Sequence, residues 1–312
     1  MNILSRPDSS RPRIAAVGMW DGVHRGHRFL IDHVRAQGKR RGLTPAVVTF
    51  AAHPLTVVRP EAVPPLLSDR QERMALLDAA GVDDCILLDF DSKMRRMTAR
   101  EFLTMLKDKY AVATLMVGFN NRFGRDRAEG VEAYAAIGRE IGLEVIPAPE
   151  FSLRRKPVSS SRVRALIAQG NVDGAAALLG RPFTITGRVA SGRQLGRTIG
   201  FPTANIEMPS EGLLVPGPGA YAAVIRTPDG VRRGAMVNIG RRPTVDRPDA
   251  PVTIEAHIFD YAGEIYGQDV TLEFLRFLRP ERRFDNVEAL RRQLVRDERQ
   301  SRRIVAKEAK IR

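Results

Sequence analysis

The chain has 312 residues, is 43% hydrophobic and carries a formal net charge of +14, a length that suits two domains and an apolar content sufficient for two cores. No apolar run approaches the ~20 residues of a membrane span, the opening MNILSRPDSSRPR has no apolar signal core, and the lone cysteine, Cys85, has no partner for a disulfide within the chain, so a cytoplasmic protein is expected. The basic residues are mostly scattered Arg, clustered only at Lys39–Arg41, Arg154–Lys156 and the C-terminal stretch, which reads as composition rather than a nucleic-acid or membrane surface.

In the first half, apolar runs at Ile14–Gly18, Pro45–Phe50, Cys85–Asp89, Leu115–Gly118 and Leu143–Pro147 predict strands. Helical patterns fall between them at Phe29–Arg40, Asp69–Ala80, Ala99–Tyr110 and Gly130–Ile141. Thr98 and Glu101 have capping-box spacing, and Ser68 is placed to cap the helix after it. Strands alternating with helices predict a parallel, Rossmann-like α/β layer structure. Ser159–Ser161 then opens a helix from Arg162 to about Leu179, closed by Gly180 and read as a hinge. Domains are therefore expected at 1–181 and 182–312. Beyond Pro182 come short alternating runs at Phe183–Val189, Ala220–Ile225, Arg233–Ile239, Val252–Phe259 and Val270–Leu278, punctuated by Gly and Pro. Such spacing predicts a small antiparallel β-barrel. A C-terminal helix from Asn286 to about Lys310 starts amphipathic and becomes densely charged.

The stretch GMWDGVHRGH, Gly18 to His27, lies between the first strand and the first helix. A strand, a glycine-bearing turn and a helix N-terminus offer unpaired N–H groups to an anion. Gly18, Asp21 and Gly26 shape that turn, and His24 and His27 add imidazoles that donate to phosphate oxygens and take up a proton as negative charge develops. The place is also right, since open α/β sheets bind ligands at the carboxyl ends of their strands. The HxGH pattern there resembles the signature of the nucleotidyltransferase superfamily, which implies a nucleoside triphosphate. Two further stretches suit the same site. Asn120, in VGFNNRFGRDRAEG, suits a bond to ribose or base; in SSSRVR the Ser159 and Ser160 hydroxyls, with Arg164 one turn into a helix, suit phosphate.

In the second half, GRVASGRQLGRTIGFPTANI, Gly187 to Ile206, is glycine-rich without being a Walker A loop. Its glycines, Gly187, Gly192, Gly196 and Gly200, let backbone curl around phosphates, while Thr203 and Asn205 offer the neutral oxygens that suit Mg²⁺ already bound to nucleotide. In TIEAHI, Val252, Ile254, Ala256 and Ile258 share one strand face and leave Glu255 on the other. A kinase acting on an alcohol needs a positioned base, and Glu255 is the candidate nearest these motifs.

GMWDGVHRGH, VVTFAAHP, VGFNNRFG and VSSSRVR, in this order, resemble the FMN adenylyltransferase domain of bacterial bifunctional riboflavin kinase/FAD synthetases. GFPTANI, PGPGAY, VNIGRRPTV, IEAHIFD and FLRPERRF resemble the riboflavin kinase domain of the same family. The resemblance implies that ATP and Mg²⁺ serve two steps, riboflavin to FMN and FMN to FAD. It also implies that His24, His27, Asn120 and Arg164 act in adenylyl transfer, with Ser159 and Ser160 gripping phosphate. In the kinase, Glu255 would be the base, Thr203 and Asn205 would hold Mg²⁺, the Gly187–Gly200 loop would cover the nucleotide, and Arg279 and the C-terminal helix would lie near the flavin. Two positions depart from the family pattern, Trp20 where Phe is usual and Ser161 where Thr is usual. The competing readings are an enzyme with one activity and a regulatory flavin-binding module, and an adenylyl enzyme acting on nucleic acid. The latter would leave PTAN unexplained and lacks a KMSKS-like run.

Overall fold

The computed structural model describes residues 1–118, 122–126, 130–153, 155–191, 196, 199–208, 212–241 and 252–311, the backbone alone at 241 and 309–311. Two compact units divide the chain, Met1–Ser160 and Ser161–Arg312.

In the first unit, strands β1 (Asn2–Leu4), β2 (Arg13–Val17), β3 (Thr44–Phe50), β4 (Asp84–Leu88), β5 (Val112–Val117) and β6 (Glu144–Pro147) form one sheet in the order β1-β4-β3-β2-β5-β6. Every pairing in it is parallel. Helices α1 (Arg25–Arg41), α2 (Leu55–Val58), α3 (Arg70–Ala79), α4 (Ser92–Arg95), α5 (Ala99–Tyr110) and α6 (Gly130–Ile141) connect the strands. Both faces are covered, so the central strands read as continuous apolar runs rather than alternating ones. Ala15 and Val48 pack with Phe102, Leu103 and Leu106 of α5 and Tyr134 of α6. On the opposite face Ile14, Ala16, Val47 and Cys85 pack with Ile31 and Val34 of α1 and Leu77 of α3. Burial there pushes the Cys85 thiol up to about 12, which leaves it a small apolar core group. The chain reverses direction across the sheet at β2, so the crevice at its carboxyl end is the natural ligand site. A short hairpin, β7 (Ser152–Leu153) with β8 (Lys156–Pro157), precedes the unit's end.

At the amino ends of β2 and β4, Arg13 and Asp84 are both fully buried and paired at 2.7 Å. Arg11 and Asn2 also donate to Asp84, and Arg13 donates to Asp8 and to the Tyr110 carbonyl that ends α5. Burial alone would raise the Asp84 pKa, but the bonds from Asn2, Arg13 and Arg11 outweigh it and hold the carboxyl below its ordinary range. Asp84→Ala leaves the buried Arg13 with only the half-buried Asp8 carboxylate as counter-charge, and chemical denaturation should show a loss of about 3 kcal/mol, the lower end for breaking a buried pair. A loss under ~1 kcal/mol would mean the pair carries no more than a surface bridge.

The second unit begins with α7 (Ser160–Ala168) and α8 (Val172–Leu179). The sequence pattern runs through as one helix, but Gly170 adopts φ 76° and Asn171 caps α8 afresh by accepting from Gly174 N. Strands β9 (Phe183–Ala190), β10 (Ala204–Glu207), β11 (Gly219–Arg226), β12 (Arg232–Arg241), β13 (Val252–Ile258) and β14 (Asp269–Arg279) close an antiparallel barrel in the order β10-β13-β12-β11-β14-β9. Helix α9 (Val287–Ile311) packs over β11, β12 and β14. Arg279 of β14 fastens it, reaching the nearly buried Asp297 through Nε at 2.9 Å and Nη2 at 2.8 Å. Arg302 of α9 grips both oxygens of Asp260 and lies 4.5 Å above the Phe259 ring.

Most expected elements are present within a few residues of their sequence bounds. Thr98 and Glu101 close the capping box at α5. Ser68 does not cap α3. Asp69 does, accepting from Glu72 N, because Ser68 is drawn instead to Asp21. β1 and β10 were not foreseen, the first a three-residue edge and the second hidden in the PTAN run.

Candidate active sites

The turn after β2 is held from below. Gly18 N and Trp20 Nε1 both donate to the Val48 carbonyl of β3 at 3.0 Å. Trp20 is 1% exposed and adopts φ 54°, so its bulk lies in the core beneath the turn. Asp21 is buried as well. Its carboxylate accepts from Leu67 N and Ser68 N at 3.0 and 3.1 Å, and the Ser68 hydroxyl in turn accepts from Gly22 N. Asp21 therefore organises the turn through these bonds.

His24 caps α1, its Nδ1 accepting from His27 N at 3.2 Å. In the neutral ring the proton then sits on Nε2. The His27 ring stacks on His24 at 3.6 Å between centroids and meets the Trp20 indole edge-on at 5.1 Å. Burial first, and the adjacent His24 second, push the His27 pKa well below 6.5. Its Nδ1 is buried without a hydrogen-bond partner among the described residues, as is Nε of Arg28. Gly26 is required by packing, because a Cβ there would stand 3.2 Å from the His24 ring and 3.4 Å from the Val158 carbonyl. Ser160 Oγ donates to the Asp21 carbonyl at 3.1 Å. The HxGH turn and the Ser159–Ser160 segment thus meet within one unit.

Beside this turn lies a cavity of about 580 Å³ that Gly18 and Met19 border. Phe50, Phe90 and Phe123 supply aromatic walls, and Arg95, Arg122 and Arg125 supply charge. These residues come from several separate segments; Phe50, Arg122, Phe123 and Arg125 lie within the VVTFAAHP and VGFNNRFGRDRAEG stretches, but sequence reasoning did not single them out because only the fold brings them together with Phe90 and Arg95.

The second site lies on the outer face of the barrel, under α9. A cavity of about 300 Å³ is lined by Thr203, Asn238, Glu255, His257 and Arg279, with Leu290 and Leu294 of α9. Asn205 of β10 stands directly opposite Glu255 of β13, which stands opposite Asn238 of β12. Residues opposite one another share a sheet face, so the three form a polar row. Ile254, Ala256 and Ile258 are buried as the alternation expects, whereas Val252 at the strand start is exposed and His257 is buried as well. Just beyond, His257 Nδ1 lies 2.7 Å from the Pro202 carbonyl and ties β13 to the backbone preceding Thr203.

Two family models match the chain, FAD synthetase over residues 6–162 and riboflavin kinase over residues 179–305. It is 34% identical over 286 residues to the bifunctional riboflavin kinase/FMN adenylyltransferase of Escherichia coli (strain K12), covering 91% of this chain and 90% of that one. The chain belongs to the bifunctional riboflavin kinase/FMN adenylyltransferase family. The Pseudomonas fluorescens member is 36% identical over 287 residues, covering 92% of this chain and 90% of its own. A solved structure titled as a macrolide-efflux protein from Streptococcus pneumoniae superposes with a TM-score of 0.87 at 29% identity, covering 96% of this chain and 98% of that one. No helix among the described residues is long and apolar enough to cross a membrane.

Against this family frame, Gly18, His24, Gly26, His27, Ser159 and Ser160 lie in the first unit around one turn, and Thr203 and Glu255 line one cavity in the second, with Asn205 opposite Glu255 across the β10–β13 pair. Arg164 is on α7, assigned to the second unit. Asn120 and Gly192 lie outside the described residues. Gly187 sits inside β9, not in a loop, and a Cβ there would come within 2.5 Å of the Glu207 carbonyl, so the strands pack closely at this point. Gly196 borders the barrel cavity, and Gly200 adopts φ 83° just before PTAN. Arg279 lines the same cavity, but its guanidinium is committed to Asp297.

Proposed function

We propose that each unit carries one of the family's two reactions and that the residues brought together above perform them. In the barrel, riboflavin's ribityl 5′-hydroxyl attacks the γ-phosphorus of ATP, giving FMN and ADP. An alcohol ionises poorly near neutral pH, so a carboxylate base on the cavity wall is needed, and Glu255 takes the proton. The observation that carries this reading is the cross-strand row Asn205–Glu255–Asn238, whose Glu255 and Asn238 line one cavity with Thr203. A hydroxyl and an amide oxygen beside a carboxylate are hard neutral donors, which fit Mg²⁺ arriving on the nucleotide better than a softer metal. Thr203 and Asn205 would hold that ion, which neutralises charge on the transferring phosphoryl group.

In the first unit, an FMN phosphate oxygen attacks the α-phosphorus of a second ATP, releasing pyrophosphate and FAD. That nucleophile is already ionised, so no base is required, and the site need only position the reactants and stabilise the departing charge. His24 and His27 offer ring N–H groups, Ser159, Ser160 and Arg164 grip phosphate, and Asn120 contacts the nucleoside. The 580 Å³ cavity, aromatic-walled and edged with guanidinium groups, suits the flavin ring and phosphate of FMN. Functionally, residues 1–181 serve adenylylation and 182–312 the kinase, although α8 packs on β9 and β14, because the Ser159–Arg164 stretch starts at the HxGH turn. A cytoplasmic setting, where ATP is abundant, completes the reading.

Incubation of the protein with riboflavin, ATP and Mg²⁺ should yield FMN first and FAD after it, and FMN supplied directly should also become FAD. Product stopping at FMN would favour a single-activity enzyme.

A further inference from the structure

Arg73 belongs to no motif in the sequence, yet it sits under the first site. It is 3% exposed on α3. Its Nη2 donates to the Phe50 carbonyl at 2.6 Å and its Nη1 to the Met19 carbonyl at 3.3 Å, while Nε is buried with no hydrogen-bond partner among the described residues. Those carbonyls end β3 and follow β2, and both residues border the 580 Å³ cavity. Thr49 Oγ1 also donates to the Met19 carbonyl at 3.3 Å.

We propose that Arg73 is a positioning residue for adenylyl transfer: its guanidinium fastens the loop carrying the HxGH turn to the loop forming the cavity wall, fixing nucleotide and acceptor relative to one another. This rests on the assignment of adenylyl transfer to the first unit. A buried apolar side chain would fill the space at lower desolvation cost, so packing alone does not account for a guanidinium there. Two carbonyl acceptors on separate loops do account for it, because one planar fork can span both in fixed geometry. Burial lowers the Arg73 pKa, and the Asp21 carboxylate, itself locked in the turn, opposes that shift. The cation also places positive charge beneath a site meant for anions.

The test uses the full chain with Arg73→Met and Arg73→Lys, measuring FAD formation from FMN and ATP, FMN formation from riboflavin, and thermal unfolding. Arg73→Met should lower kcat for FAD formation ~100-fold, the scale expected when reacting groups are misplaced by about 1 Å, with the kinase rate unchanged. Arg73→Lys, able to keep one of the two bonds, should recover part of that kcat. Should Arg73→Met leave the first unit unfolded, Arg73→Lys alone decides, a kcat deficit at unchanged unfolding temperature supporting the proposal. Wild-type kcat and KM in a folded variant, or a deficit matching only the lost folded fraction, overturn it. If the wild-type chain itself makes no FAD, the reading of the first unit fails and the proposal with it; if the wild type makes FAD and only the variants are silent on kcat, the reading stands and the proposal alone falls.

Discussion

Glu255→Gln abolishes FMN formation from riboflavin, with a loss on the order of 10²–10⁴-fold, the usual range for removing a general base, and leaves FAD formation from supplied FMN at the wild-type rate. The amide keeps the volume of the carboxylate and can still bond its neighbours in the row between Asn205 and Asn238. What it loses is the ability to accept the hydroxyl proton. Because Glu255 lies on β13 of a closed barrel, its position is fixed by pairing on both sides, and the substitution should leave the unfolding temperature unchanged. Separate assays of the two steps, with product separation, read the result directly. Equal loss of both activities would remove Glu255 from the role of a base specific to the first step.

His27→Ala has the complementary effect. FAD formation should fall ~10²–10³-fold, as when one donor to developing charge is removed, while riboflavin phosphorylation is unaffected. The stacked pair explains the size. Two imidazoles 3.6 Å apart cannot both be cationic cheaply, and burial already disfavours charge on His27. Without ligand His27 is therefore neutral near pH 7; a bound triphosphate supplies the negative charge that draws a proton onto the pair. The sign for stability follows from the depressed pKa. The unfolded chain binds a proton on this residue below about pH 6.5 while the folded chain does not, so acid favours unfolding. As pH falls through 6.5, wild-type stability should drop by an increment that His27→Ala lacks. A kinase rate that falls together with FAD formation would contradict the division of labour between the units.

How far this was legible from residues alone depended on whether the information was local. The capping box of Thr98 and Glu101 depends on residues three apart, and the α5 bounds, Ala99–Tyr110, came out as expected. The alternation of Ile254, Ala256 and Ile258 is equally local, and it put Glu255 on the open face before any partner was known. Ser68 was misassigned because its competitor, Asp21, lies 47 residues away in the chain. Asp21 was read as part of the ligand turn, and only the fold reveals the Leu67 and Ser68 amides that donate to its carboxylate. The break between α7 and α8 was hidden because apolar residues continue across Gly170 and Asn171. Phe50 and Phe123 lie in motif stretches, but nothing in the sequence shows that they wall one cavity with Phe90 or that Arg73 lies beneath it, since each comes from a different segment. In this chain, motif residues announced the chemistry, whereas the residues that hold them in place are known only from tertiary contacts.

Trp20 is the one tryptophan in 312 residues. Packed in the core below the HxGH turn and edge-on to His27, its indole gives the chain a native optical label. Emission excited selectively from tryptophan comes from the parallel-sheet unit alone, with the barrel spectroscopically silent. A protonated imidazole is an efficient quencher of a neighbouring indole, so the same signal follows the charge on the histidine pair. Loading of the two sites can thus be told apart in the intact protein without introducing a dye.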